Sequence, residues 1–315
     1  VKRLKRFILA MKEVDPTIKI IAVGNHPLTD DPQDPAAVWN RVLLEKAGGI
    51  IDFLSWHIYQ PEKEGWQEDP DEFELFKTIT AAPLDIKIYI DRIHKQINEA
   101  GFDGKITQAL DEWNVWLPPK KGEVSMHRVT YTMRDALYVA STLAVLFRNS
   151  DKVKIANLAQ LVNVLPLIQT NETTAIATSI FYPFILFGQM IGNPIHCAVS
   201  SPKYSSKAMG PNISAHENVD LLDCFTTIKE SENQLKVLLI NRDATQRMQV
   251  SLTGLKDNFS MRGITKIRAS NPLAHNDFKN PYRIKLDEIK ISDSQKRTRR
   301  LVMEPASIYL VEFNL

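Results

Sequence analysis

The chain has 315 residues, 44% of them hydrophobic and 24% charged, with a formal charge of +2 at pH 7. That length buries a sizeable core in one large or two medium domains, and the composition is ordinary for a globular chain. The near-neutral balance offers no basic surface to nucleic acid, and no apolar run reaches the roughly 20 residues that span a membrane.

Val1 is not methionine, and the first eleven residues lack the shape of a signal peptide. Leu4, Phe7, Ile8 and Met11 recur at helical spacing with no cap ahead of them, so the sequence starts inside an amphipathic helix. It reads as cut from something longer, and compartment is not legible from such an end. Pro16 stops the helix. Residues 18–24 form a short β-branched strand, the loop opened by Asn25, His26 and Pro27 comes next, and a helix over 36–47 is closed by Gly48 and Gly49. Residues 51–59 form the next strand, with Ser55, His57 and Tyr59 on one face of its C-terminal end. An acidic, irregular loop covers 60–70, and 73–100 is helical with a break at Pro83.

A turn over 101–104 leads into the stretch on which the functional reading rests: Gln108, Ala109, Leu110, Asp111, Glu112, Trp113, Asn114, Val115, Trp116. It reads as a strand ending in two carboxylates, an amide and two indoles. An indole beside a carboxylate suits a sugar, with the ring covering C–H groups while polar side chains meet hydroxyls. Strict alternation places Gln108, Leu110, Glu112 and Asn114 on one face and Asp111 and Trp113 on the other. Glu112 is then the carboxylate aimed into a site, and Asp111 its support from behind. A solvated acidic edge or helix cap, with tryptophans in the core, is the competing reading of the same residues.

Beyond a loop at 118–122, residues 129–148 form a strongly apolar helix packed on a sheet. Residues 154–163 form a strand with Gln160 and Asn163 near its end, and 174–190 a last helix. One helix followed by four strand–helix repeats, with polar groups gathering at strand C-termini, is the pattern of a (β/α) barrel. Four strands are half of such a barrel. A half-barrel alone exposes two unpaired edges, so the other half is expected upstream or on another chain.

After Gly192 no long helix is evident, and strands are expected at 221–228, 234–242, 248–252 and 306–313, with turns at 241–243 and 256–258. The fold class is therefore α/β plus all-β: the C-terminal half of a (β/α)8 TIM barrel over 1–191, then a jelly-roll-like β-sandwich over 192–315. The basic run at 295–300 reads as a solvated hairpin. Asn171, Asn212 and Asn258 head glycosylation sequons, a pattern short enough to arise by chance. The two cysteines, Cys197 and Cys224, are distant in sequence and lack metal spacing. They read as small buried apolar residues, and spacing alone leaves a disulfide between them open. No phosphate loop or metal-spaced histidines occur, so neither cofactor nor metal is expected.

Taken in order, several segments resemble the α-L-arabinofuranosidases of glycoside hydrolase family 51 over nearly the whole length. They are the 111–116 stretch, Ser55 to Tyr59, Ala156 to Val164, Tyr182-Pro183-Phe184, Ser201 to Tyr204, and Leu239 to Arg242. The resemblance implies a retaining exo-enzyme that removes terminal α-L-arabinofuranose from arabinan, arabinoxylan or oligosaccharides by a two-carboxylate mechanism. It assigns Glu112 as nucleophile, Tyr59 as the tyrosine orienting it, and His57 as the histidine beside the acid/base. Gln160 becomes a sugar-binding amide and Trp116 a wall of the pocket. The family's acid/base follows an asparagine in Gly-Asn-Glu, which this sequence lacks; Gly24, Asn25 and His26 end a different strand. Leu117 also stands where an aromatic often follows the tryptophan. The chain alone is thus expected to be inactive on unactivated arabinosides, with the missing half-barrel as a required partner. A homo-hexamer and a cytoplasmic location are implied by the resemblance only. Two alternatives stay open: a non-catalytic relative or sugar-binding subunit, and a related glycosidase such as an endoglucanase or xylosidase.

Overall fold

A computed structural model describes residues 1–62, 70–117, 127, 129–255 and 259–314. The expected loop at 118–122, the turn at 256–258, the sequon asparagine Asn258 and most of the 60–70 loop lie outside them.

The first helix, α1 (Lys2–Val14), buries only Ile8; Phe7 and Met11, placed inward by the periodicity, are 54% and 44% exposed. Strand β1 (Ile21–Val23) comes next, shorter than expected. Helix α2 (Pro35–Ala47) starts where Asp34 accepts from the Ala36 and Ala37 amides, with proline at its first position. Strand β2 (Phe53–Pro61) leads to α3 (Glu72–Ala81) and α4 (Pro83–Glu99). Pro83 opens the second of these helices, where its missing N–H costs nothing, and so divides the two. Strand β3 (Thr107–Trp116), α5 (Met133–Arg148) and β4 (Val153–Leu158) complete a four-stranded sheet. Its strands lie in chain order β1-β2-β3-β4, all parallel. Ile86, Ile90, Ile93 and Ile97 form the buried stripe of α4.

Two expectations fail here. Strand β4 stops at Leu158 rather than Asn163: the Asn114 side chain takes the Ala159 and Leu165 carbonyls, and the backbone between turns, with Asn163 and Leu165 left-handed at φ of 61° and 45°. The helix expected from residue 174 is instead a hairpin, β5 (Ile168–Thr170) with β6 (Ala175–Ala177), and α6 runs only over Phe181–Gly188. The side chain of Asn171 accepts from the Thr173 and Thr174 amides and closes the turn.

The remaining strands are β7 (Asn193–Ile195), β8 (Lys203–Ser206), β9 (His216–Asp220), β10 (Leu222–Lys229), β11 (Gln234–Asn241), β12 (Met248–Ser251), β13 (Ser260–Arg268), β14 (Lys285–Lys290), β15 (Arg300–Met303) and β16 (Ser307–Asn314). Six of them form an antiparallel sheet in the order β14-β13-β16-β11-β10-β7. Alternation divides its two faces. Phe225, Leu238, Ile240, Ile308 and Leu310 join the core that contains α5, while Cys224, Val237, Leu239 and Tyr309 pack with Val250 and Met303 of the β12–β15 ribbon. Helix α5 thus has a sheet on either side, which is why eleven of its sixteen residues are apolar or aromatic and every residue from Met133 to Leu146 is buried.

Candidate active site

The carboxylates of β3 sit at a break in strand register. Trp56 of β2 pairs with Leu110, but the next residue, His57, pairs with Glu112, so Asp111 has no partner in β2. Such an insertion flips the facing of the residues beyond it. Gln108 and Glu112 therefore look to opposite sides, against the alternation expected from sequence. Gln108 is fully buried and donates to the Ile90 carbonyl of α4 at 2.8 Å, whereas Glu112 faces His57 and Tyr59. Asp111 does not stand behind the sheet either. It accepts from the Ser55 hydroxyl at 2.6 Å, and Ser55 has the facing of His57 and Tyr59.

The Tyr59 hydroxyl donates to Oε2 of Glu112 at 2.9 Å, and Nδ1 of His57 lies 3.5 Å from the same oxygen. The Glu112 and His57 side chains are 43% and 50% exposed, so the group opens to solvent. Burial, then the hydrogen bond to Glu112, pushes the Tyr59 phenol well above its usual range. Tyr59 therefore stays a protonated donor throughout the neutral range. Trp116 meets the Tyr59 ring edge-on at 5.4 Å, and His127 stacks on Trp116 at 5.6 Å. Glu112, Tyr59, His57 and Trp116 thus come together as one cluster. Gln160 is exposed, two residues past the end of neighbouring β4. The backbone there is tied down by Asn114, whose amide donates to the carbonyls of Ala159 at 2.9 Å and Leu165 at 3.0 Å.

Sequence reasoning missed what holds β2 in place. Gln60 is completely buried, donating to the carbonyls of Ala82 and Asn212 and accepting from Tyr138 at 2.8 Å. Asn212 arrives from the segment between β8 and β9. Its amide nitrogen donates to the Tyr59 carbonyl at 3.1 Å and to Glu62 at 2.6 Å, and its oxygen lies 3.2 Å from His26 Nε2. At 2% exposure Asn212 is no accessible glycan acceptor, and its sequon is coincidental. A proline–asparagine turn far along the chain carries no signal for this role. Among the described residues no three His, Cys, Asp or Glu side chains gather to hold a metal, and no helix is long and apolar enough to cross a membrane.

A carboxylate, a tyrosine and an indole gathered at the C-terminal ends of parallel strands stand where α/β enzymes keep their active sites. The family model described as the alpha-L-arabinofuranosidase C-terminal domain matches residues 111–307. The chain belongs to that family, within glycoside hydrolase family 51. An intracellular exo-α-(1→5)-L-arabinofuranosidase of Acetivibrio thermocellus is 27% identical over 310 residues, covering 91% of this chain and 56% of the relative. The crystal structure of an α-L-arabinofuranosidase from Thermotoga maritima in complex with arabinose superposes with a TM-score of 0.79 at 28% identity. It covers 99% of this chain and 61% of that one. The family 51 enzyme of Thermotoga petrophila gives 0.77 at 28%, covering 98% and 60%. The chain spans about half the length of the curated relatives it matches, from 37% to 58%.

Proposed function

We propose that this chain carries the nucleophile half of a retaining α-L-arabinofuranosidase. The observation that carries the reading is the convergence of Tyr59 and His57 on one oxygen of Glu112, at an open strand end beside Trp116. In this reading the free oxygen of Glu112 attacks the anomeric carbon of a terminal arabinofuranose. Tyr59, a donor that does not ionise near neutrality, fixes the carboxylate and releases it as its charge passes to the sugar. His57 stands beside the place of the acid/base, Trp116 walls the pocket, and Gln160 binds sugar hydroxyls. Asp111, held by Ser55, sets the backbone at the register break rather than reacting.

The general acid is supplied by residues outside these 315. The four parallel strands are the second half of a (β/α)8 barrel over 1–191, and 192–315 form the sandwich domain. Both edges of the parallel sheet support this: Ile21 and Val23 on β1 are 42% and 71% exposed, and Lys154, Ala156 and Asn157 of β4 are exposed. Without protonation of the leaving oxygen, roughly 10²–10⁴-fold of rate is absent. With lost barrel closure costing more, the chain alone is inactive, or nearly so, on natural arabino-oligosaccharides. Several of the relatives are named as intracellular enzymes, and a cytoplasmic location is proposed here on that likeness.

The test pairs the chain with a half-barrel that bears Gly-Asn-Glu, taken from a relative, and measures release of arabinose. Activity should appear only in the mixture and vanish with Glu112→Ala. An arabinofuranose-configured epoxide should label Glu112 in the mixture. Turnover of an arabino-oligosaccharide by this chain alone that disappears in Glu112→Ala would refute the need for a second part. Turnover by the mixture that survives Glu112→Ala would refute the nucleophile. Saturable arabinoside binding with no hydrolysis in either case would favour a sugar-binding protein.

A further inference from the structure

The two cysteines, distant in sequence, are neighbours in the fold. Strand β7 pairs with β10 in antiparallel register, Ile195 opposite Thr226 and Asn193 opposite Ile228. Extending that register by two residues sets Cys197 directly across from Cys224. Residues so opposed have Cα atoms about 4.5–5.5 Å apart, inside the range a disulfide spans. The side chains match the backbone: the Cys224 thiol donates to the Cys197 sulfur at 2.9 Å. Both cysteines are free thiols here.

The two sulfurs are not equivalent. Cys224 is 3% exposed in the outer core of the six-stranded sheet. Cys197 lies beyond the last paired residue of β7, is partly exposed, and lines a mainly apolar cavity of about 530 Å³ together with Cys224, Val199, Val237, Leu239 and Phe259. The expectation that both are buried therefore holds for Cys224 alone. The hydrogen bond from Cys224, against the opposing effect of burial, and then the nearby Thr226, His196 and Arg148, hold the Cys197 thiol down to about 6. The proton is retained by Cys224, whose own pKa is pushed up by the Cys197 sulfur and by burial.

We infer that Cys197 and Cys224 form a peroxide-reactive dithiol, with Cys197 the attacking sulfur and Cys224 the resolving one, that closes into an intramolecular disulfide. The Cys197 thiolate attacks one oxygen of hydrogen peroxide. The O–O bond breaks, hydroxide leaves, and Cys197 becomes a sulfenic acid. The Cys224 sulfur then attacks the Cys197 sulfur, the S–O bond breaks, and water leaves with the Cys224 proton. The hydroxide takes up the proton that Cys197 had lost, so two thiols and one peroxide give one disulfide and two waters. The product staples the segment after β7 to β10. That segment is otherwise joined to the sheet by the short β7 ladder and by the Leu222 amide, which donates to the Ser201 hydroxyl. The inference stands independently of the arabinofuranosidase reading.

The chain is treated with one equivalent of hydrogen peroxide, then digested without reductant. The expected product has lost two mass units, contains a crosslinked 197–224 peptide pair, melts about 5 °C higher, and reverts with dithiothreitol. In Cys224→Ser the sulfenic acid has no resolving thiol and is captured on Cys197 by dimedone, while Cys197→Ser yields neither product. Alkylation of Cys197 should fall only about tenfold from pH 7.5 to pH 5, where an ordinary thiol falls several hundred-fold. Two free thiols after excess peroxide, a crosslink between molecules instead of within one, or equal dimedone capture in the parent and in Cys224→Ser would each overturn it.

Discussion

Replacing Asp223 with alanine should be among the most damaging single substitutions at the junction of the two sheets. Its carboxylate accepts from Arg148 and from Arg242, each at 2.7 Å, and from the Cys224 amide at 2.9 Å. The Asp223 side chain is 12% exposed and that of Arg242 6%, so water does little to replace the pair. Arg242 also reaches Ser141 in the middle of α5, and Arg148 ends that helix. Alanine leaves a buried guanidinium without its counter-charge, a loss of about 3–5 kcal/mol. With an unfolding entropy of about 2.1 cal/mol/K per residue, that lowers Tm by roughly 5–8 °C. Thermal and urea unfolding measure it, and a cycle with Arg242→Met should return a coupling of about 2 kcal/mol. Burial raises the Asp223 pKa, but Arg242 and Arg148 outweigh it, and the folded value lies below the usual carboxylate range. The stabilisation is thus complete above about pH 4 and lost as pH falls through the folded value, so parent and variant should converge in acid. A cost under 1 kcal/mol at pH 7, or additive effects in the cycle, would refute the reasoning.

In the reconstituted enzyme, Tyr59→Phe should lower kcat about 10–100-fold with folding intact, the loss of one hydrogen bond to a charged acceptor; an unchanged kcat would remove Tyr59 from the mechanism. Burial raises the pKa of Tyr59, Tyr89, Tyr131 and Tyr138 above the usual phenol range. Above about pH 10 the unfolded chain releases protons the folded one keeps, so stability should fall steeply with rising pH, as unfolding midpoints will show. Gly192→Ala should cost about 1–3 kcal/mol, because φ is 122° there and a Cβ would lie 2.4 Å from the Ile228 carbonyl oxygen. A neutral result in urea titration would argue against that backbone geometry.

Periodicity and caps made the order of strands and helices from α1 to β4 legible, since an apolar stripe such as that of α4 is written locally. Strands β13, β14 and β15 were not. Lys285–Lys290 reads Lys-Leu-Asp-Glu-Ile-Lys, and its charge suits the sheet edge it occupies more than any local strand signal. In the site, the residues that meet at Glu112 could be named because they share two motifs, and the shared face of Ser55, His57 and Tyr59 could be read from alternation along β2. The facing of Gln108 and Asp111 relative to Glu112 could not, because the register break at Asp111 comes from pairing with β2, which alternation along β3 cannot report. Asn212 was beyond reach for a related reason: its partners lie about 150 residues away, and nothing near it marks a buried amide.

That long reach bears on how such proteins can be recombined. Asn212 grips the end of β2 by the Tyr59 carbonyl, Gln60 and Glu62, so the segment between β8 and β9 acts as a jig for a strand it does not belong to. A chimera that takes its C-terminal region from another relative inherits a different jig. Unless Gln60 and Glu62 travel with their counterpart, the hybrid can fold, keep every motif of its parallel sheet, and still present Tyr59 at the wrong height.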